Sequence, residues 1–470
     1  MKLNEDRFFD PDPATRRVAR DLYDTTRELP IISPHGHVDP AILATNAPFP
    51  EPTALLVSPD HYILRLLHSQ GIPLEALGIP TRDGKPVTAD PRTIWRLFAK
   101  NWFLFRGTPS RAWLDYELHE VFGVTRSLSA DTAEKIYDEI AEKLGSPEFT
   151  PRRLFDRFRI EVLATTDRAT DTLEHHRAIR ESEWKRRVIP TFRPDALFAI
   201  ASPQWRGQLS LLEEVAHNPV KTFEDFRSAL AGRRKYFKTM GATASDHAVE
   251  VPHTERLPDR EVEKIFRAAL DGAVEKRDQA RFEAHMLMEM AEMSLADGLV
   301  MQLHPGAFRD HDAKLYDRFG SDRGGDIPAA TEYTRNLRDL LNAYGNDPRL
   351  TLIVFTLDES TYSRELAPLA GYYSAMKLGP PWWFHDSIEG MHRFRARTTE
   401  TAGLYNTVGF NDDTRAFCSI PARHDLSRRV DANFLASLVV RHIVAKDEAV
   451  EMARSLAYEL ARDSYKLGTA

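Results

Sequence analysis

Two histidines, His35 and His37, flank Gly36 just after the apolar pair Ile31-Ile32. A strand's period of two turns both imidazoles to the same face, where they can chelate a metal ion. With 17 histidines in 470 residues, chance alone supplies about 0.6 such pairs, so the position in the fold has to carry the argument. Asp412 and Asp413 end the last apolar run of the chain, and one of them would complete a three-ligand set if the first and last runs lie side by side. His304 in QLHPG and His247 in SDHAV end two further runs and are expected to line the same pocket. Arg193 in TFRPD and Arg415 in NDDTR offer planar guanidinium forks that match a carboxylate, with an ion pair inside the protein as their competing use. Trp382-Trp383 could wall a sugar's carbon face or plug the fold, and His61-Tyr62 brings an imidazole and a phenol suited to proton transfer. Two arginines converging on a metal point to an anionic substrate.

Residues so far apart meet only if the chain returns them to one place. Eight short apolar runs ending in polar residues begin near Pro30, Ile160, Arg187, Ala242, Leu299, Leu350, Ser374 and Tyr405, most followed by helical spacing. This βα period predicts an α/β fold, a distorted (β/α)8 TIM-type barrel with its site at the strand C-termini. The stretch 41–158 is far longer than one crossover helix needs and is expected to be a mainly helical insert capping the mouth. The division is then 1–40 for the N-terminal helix and first strand, 41–158 for the insert and 159–470 for the rest of the barrel. Asp12-Pro13 predicts a capped helix packed outside the barrel. Phe282, Met286, Met290 and Met293 predict a core-facing stripe, and His175-His176 an exposed helix face.

Composition removes other classes. Lys plus Arg is 63 against 70 acidic residues, a formal charge of −7, which gives no basic excess for nucleic acid. Cys418 is the only cysteine, so no intramolecular disulfide forms, and a thiol nucleophile remains only formally open. No export signal or membrane span is legible, and a cytoplasmic protein is expected. GxGxxG, Walker and GxSxG sequences are absent, which argues against nucleotide cofactors and acyl-enzyme chemistry.

The segments HGHVDP, PDHYILR, ATTDRATDTLEHH, FRPD, ATASDHA, HPGAFR, PPWWFHDSIEGM and VGFNDDTRAFCSIPARHDLSRR together resemble the uronate isomerase family, a branch of the amidohydrolase-like metal barrels. The resemblance runs nearly end to end. It implies conversion of D-glucuronate to D-fructuronate and of D-galacturonate to D-tagaturonate around one divalent metal, usually zinc. His35, His37 and Asp413 fall on the metal positions, and Arg193, Arg415, His61, Tyr62 and Trp382-Trp383 on positions around the substrate. Asp413, Tyr62, His61 and Arg415 are expected to carry catalysis, with Arg193, Arg415, His304, His247 and the tryptophan pair holding substrate. Asp310 and Asp312 stand where relatives carry asparagines and are expected to add negative charge near the site. No lysine ends the fourth strand, which favours one metal over the two of binuclear hydrolases. A mononuclear metal-dependent hydrolase and a non-catalytic sugar-acid sensor are the competing functions, and a homo-oligomer is left open.

Overall fold

The computed structural model describes residues 3–468. Helix α1 (Pro13–Thr26) starts where its cap predicts: the Asp12 carboxylate accepts from Thr15 N at 2.8 Å, with proline in the first turn. Its buried Ala19 and Leu22 pack on helices near the C-terminus. Strand β1 (Ile31–Ser33) follows, and the chain from there to residue 159 is helical or irregular, including α2 (His61–His68). Next come β2 (Ile160–Ala164), β3 (Arg187–Ile189) and β4 (Ala244–His247). Helix α3 (Lys276–Asp297) leads into β5 (Val300–Leu303), followed by β6 (Leu352–Val354), β7 (Met376–Leu378) and α4 (Ile420–Val440).

Neighbours among these seven strands are parallel and in chain order, as a βα repeat requires, and a separate two-residue ribbon, Ala307–Phe308 with Ile327–Pro328, is antiparallel. β1, β2 and β3 pair in turn. The two-residue continuations Asp167–Arg168 and Phe192–Arg193 carry β2 and β3 on to β4, and the ladder proceeds through β5 and β6 to β7. Most strand residues are buried on both faces, the pattern of a parallel sheet wrapped in helices. The eighth run forms only a bridge, Leu378 to Thr407, instead of the expected strand. Gly409 adopts φ 75°, and a Cβ there would stand 2.7 Å from the carbonyl oxygen of Leu456, so the backbone turns against the C-terminal helices. Two backbone bonds still tie this segment into the ring: Val408 N to Leu378 O at 3.1 Å and His37 N to Thr414 O at 3.0 Å.

Around the ring, Phe282, Met286 and Met290 of α3 are fully buried, with Met293 packed partly against the same cluster. Trp95, Phe98, Trp102 and Phe105 cluster with one another and with Ile31 and Leu163, so the helical segment shares a core with the first two strands. The histidine doublet corrects its sequence reading. His175 is partly exposed, but His176 lies on the face of Ile179, three positions on, and is buried with Nε2 2.8 Å from Thr165 Oγ1. Among the described residues no helix is long and apolar enough to cross a membrane.

Candidate active site

His35 and His37 extend from β1 with ring centroids 5.4 Å apart. Asp413 reaches both, its Oδ1 lying 3.5 Å from His35 Nε2 and 3.2 Å from His37 Nε2. Its backbone holds φ 39°, a left-handed conformation that costs a non-glycine residue about 1–3 kcal/mol and that clusters at functional sites. His304, at the end of β5, stacks on His35 at 4.6 Å. His35, His304 and Asp413 each present one ligand atom, all within 4.8 Å of one another.

The donor chemistry fits a divalent metal. Burial pushes the Asp413 carboxyl up, but the surrounding His35, His37 and His304 more than reverse this and hold it well below the usual range. Burial also lowers His37 and His304, which favours neutral imidazoles able to ligate. His304 Nδ1 lies 2.6 Å from Asp246 Oδ1, and a carboxylate can only accept, so the imidazole proton sits there and Nε2 keeps its lone pair. That Nε2 is buried without a hydrogen-bond partner among the described residues, as is Nδ1 of His35. His304 was expected to touch substrate; it lies instead in the floor of the site beneath Trp382, 4.8 Å between centroids.

Strand β4 corrects the second expectation. Asp246 and His247 are adjacent, so they face opposite sides. Asp246 points to His304, whereas His247 is fully buried on the other side, parallel to Phe198 and 3.2 Å from Ser245 Oγ. It does not line the pocket. The inward carboxylate was the residue missed, and the Asp-His doublet held both phases.

Above the metal cluster lies a cavity of about 420 Å³ lined by eight aspartates and four arginines. Each arginine already has a carboxylate: Arg193 with Asp195 at 2.6 Å, Arg309 with Asp326 at 2.8 Å, Arg415 with Asp322 at 3.0 Å and Arg423 with Asp386 at 2.9 Å. Arg193 and Arg415 thus make ion pairs and line the pocket at once. A guanidinium has five donors, so each retains capacity for a further anion. Of the two extra acidic positions, Asp310 lines the cavity, and burial with Asp326 and Asp322 nearby raises its carboxyl. Asp312 does not; it caps the helix Ala313–Phe319, accepting from Lys314 N at 3.0 Å.

Asp60 caps α2 by accepting from Tyr62 N at 2.8 Å, which fixes His61 and Tyr62 in the first helical turn, facing the mouth. Tyr62 Oη donates to Asp386, with both carboxylate oxygens 2.9 Å away. Arg423, stacked 3.6 Å over Trp113, holds Asp386 from the other side. Burial and Asp386 push the Tyr62 hydroxyl well up, so it remains a donor. Burial, with Arg415 nearby, lowers His61 to about 3, which keeps it neutral. The paired Asp386 and Arg423 went unnoticed in the sequence, where nothing but the FHD triplet marks either. Trp382 and Trp383 both line the cavity: the first also packs into the barrel on Phe355, and the second meets His61 edge-on at 5.2 Å. Cys418 is buried and burial pushes its thiol well up, which removes it as a nucleophile.

A parallel βα barrel with a His/Asp cluster that could hold a metal ion, and with an arginine-bearing cavity at its C-terminal end, has the layout of a βα-barrel enzyme. The model of the family described as glucuronate isomerase matches residues 2–465. The uronate isomerase of Brucella canis is 53% identical over 467 residues, covering 99% of this chain and 100% of the relative. The glucuronate isomerase structure from Caulobacter crescentus superposes with a TM-score of 0.98 at 51% identity, covering 100% of this chain and 98% of its own. The uronate isomerase structure from Thermotoga maritima gives 0.92 at 28% identity, covering 99% and 100%. The chain belongs to the glucuronate isomerase family.

Proposed function

We propose that this protein is a uronate isomerase that converts D-glucuronate to D-fructuronate and D-galacturonate to D-tagaturonate by proton transfer through an enediol. The observation that carries the reading beyond family membership is the floor of the mouth, where His304 offers an unpartnered Nε2 beside His35, His37 and Asp413, below Arg193 and Arg415. These four residues would hold one divalent ion, zinc in our reading. When bound, it supplies Lewis acidity to the substrate's carboxylate and neighbouring hydroxyl.

The protein's own groups account for the rest. Arg193 and Arg415 pair with the substrate carboxylate and select acids over neutral sugars. Asp413, an ionised carboxylate, takes the proton from C2 and returns it at C1, while the hydroxyl proton on O2 is lost and O1 gains one, so that C2 becomes the carbonyl and C1 the alcohol. The Tyr62 hydroxyl, aimed by Asp386, and neutral His61 provide hydrogen bonds to the oxygens on which enediolate charge develops. Trp382 and Trp383 wall the sugar, and segment 41–158 acts as the cap that brings Asp60, His61 and Tyr62 over it.

The test is turnover of zinc-loaded enzyme on D-glucuronate, D-galacturonate and D-glucose, with ketose followed by proton NMR. At least one uronate should convert while glucose does not. Equal rates on glucose would contradict the carboxylate clamp, and failure of both uronates with metal bound would transfer the site to the hydrolase reading.

A further inference from the structure

A second cavity of about 420 Å³ opens where β1 and β2 begin, bordered by Leu29, Ile31 and Arg159, and it shares no lining residue with the mouth. In a βα barrel this face ordinarily serves stability. Seven arginines line it; Arg20 pairs with Asp6, Arg27 and Arg159 with Glu28, and Arg7 and Arg429 with Asp425, whereas Arg157 and Arg428 have no carboxylate partner among the described residues. Asp425 is shared between Arg7 at 2.5 Å and Arg429 at 2.9 Å. Arg157 bonds only backbone, the carbonyls of Glu120 and Val121, both at 2.9 Å.

Arg428 carries the argument furthest. It is 7% exposed. Its Nη atoms meet the carbonyls of Arg27 at 3.2 Å and Pro30 at 2.9 Å, and its buried Nε has no hydrogen-bond partner among the described residues. Burial brings it down to about 10, which leaves it charged at neutral pH. A buried cation with no carboxylate of its own is destabilising unless something supplies the negative charge. Tyr116, on the same wall, has a hydroxyl with no hydrogen bond among the described residues.

We propose that this cavity binds a small dianion, either phosphate or a dicarboxylate, with Arg157, Arg428 and the Tyr116 hydroxyl as its anchors. Planar guanidinium forks and a phenol are the donors that tetrahedral or paired anionic oxygens require.

Calorimetric titration of zinc-loaded enzyme with inorganic phosphate and, separately, succinate tests this, with D-glucuronate present to occupy the mouth. One of the two should bind saturably, and which one does identifies the anion class. Arg428 ties down two backbone carbonyls and its loss can unfold the region, so the informative variants are Arg157→Gln and Tyr116→Phe. Arg157→Gln should weaken binding about tenfold or more, Tyr116→Phe by a smaller factor, with isomerase turnover unchanged in both. Arg415→Met, in the mouth, should leave the anion affinity unaltered. Absence of saturable binding by either anion at millimolar concentration would overturn the proposal. Binding that survives Arg157→Gln but is lost in Arg415→Met would do so too, because it would place the anion in the mouth.

Discussion

Asp386→Asn keeps the shape of the side chain that receives the Tyr62 hydroxyl and removes its charge. In the native site Tyr62 Oη lies 2.9 Å from each carboxylate oxygen, and Arg423 Nη1 lies 2.9 Å from Oδ2, so two donors share two oxygens of one anion. The amide has one oxygen for both. Arg423 is buried, and its remaining polar contacts are the Asp412 carbonyl at 3.2 Å and Ser419 Oγ at 3.4 Å. Removing the carboxylate entirely, as in Asp386→Ala, leaves that guanidinium unpaired and should cost about 3–5 kcal/mol. The Asn variant still accepts one bond and should lose about 1–3 kcal/mol. Both changes lower Tm. Because the phenol is then no longer fixed, kcat should fall about 10- to 100-fold, the scale of a catalytic group displaced by about an ångström, while KM stays near its wild-type value. Thermal unfolding and initial rates on wild type, Asp386→Asn, Tyr62→Phe and the double variant measure this directly. Since Asp386 acts through Tyr62, the double variant should match the kcat of Tyr62→Phe. Losses that multiply, or wild-type kcat in Asp386→Asn, would refute the reasoning.

The other ion pairs and buried acids give equally direct tests. Asp322→Asn frees Arg415 from a partly exposed pair worth at most about 1 kcal/mol, so KM for uronates should fall about two- to fivefold; a rise would show that Asp322 positions Arg415 instead of competing for it. Asp246→Asn removes the carboxylate that fixes the His304 proton, and zinc affinity by chelator competition should drop about 10- to 100-fold; unchanged affinity would remove His304 from the ligand set. Glu117 is buried beside Asp60, and burial raises its carboxyl from 4.5 to about 8. The folded state thus holds this proton more tightly than the unfolded chain, and the stabilisation is complete below pH 4.5 and lost as pH rises through 8. Glu117→Gln should flatten that dependence and exceed wild-type stability in alkaline buffer by on the order of 4 kcal/mol, read from denaturant unfolding at several pH values.

What the sequence made legible follows from which features are periodic. His35 and His37 share a face because a strand repeats every two residues, and Asp413 joins them because the last segment of a barrel neighbours the first. The same reasoning failed at β4, a four-residue strand buried along its whole length, whose sequence gives no amphipathic phase to say whether Asp246 or His247 points inward. The eighth strand was over-read because its composition is strand-like, whereas Gly409 is bent by contact with the C-terminal helices, which only tertiary structure reveals. Arg423 and Asp386 lie on different elements and satisfy one another, so neither carries a local signal. His304 was placed at the right strand end, but its part as a ligand depends on Asp246 holding its other nitrogen.

Proton NMR of the ketose formed from D-glucuronate in D₂O tests the central claim most directly. If Asp413 lifts the C2 proton and returns it to C1, the carboxylic acid formed in between can exchange with solvent. The account predicts deuterium at C1 of the D-fructuronate produced, and loss of both exchange and turnover in Asp413→Asn. Ketose that forms at wild-type rate with only protium at C1 would mean a direct hydride shift and would contradict it.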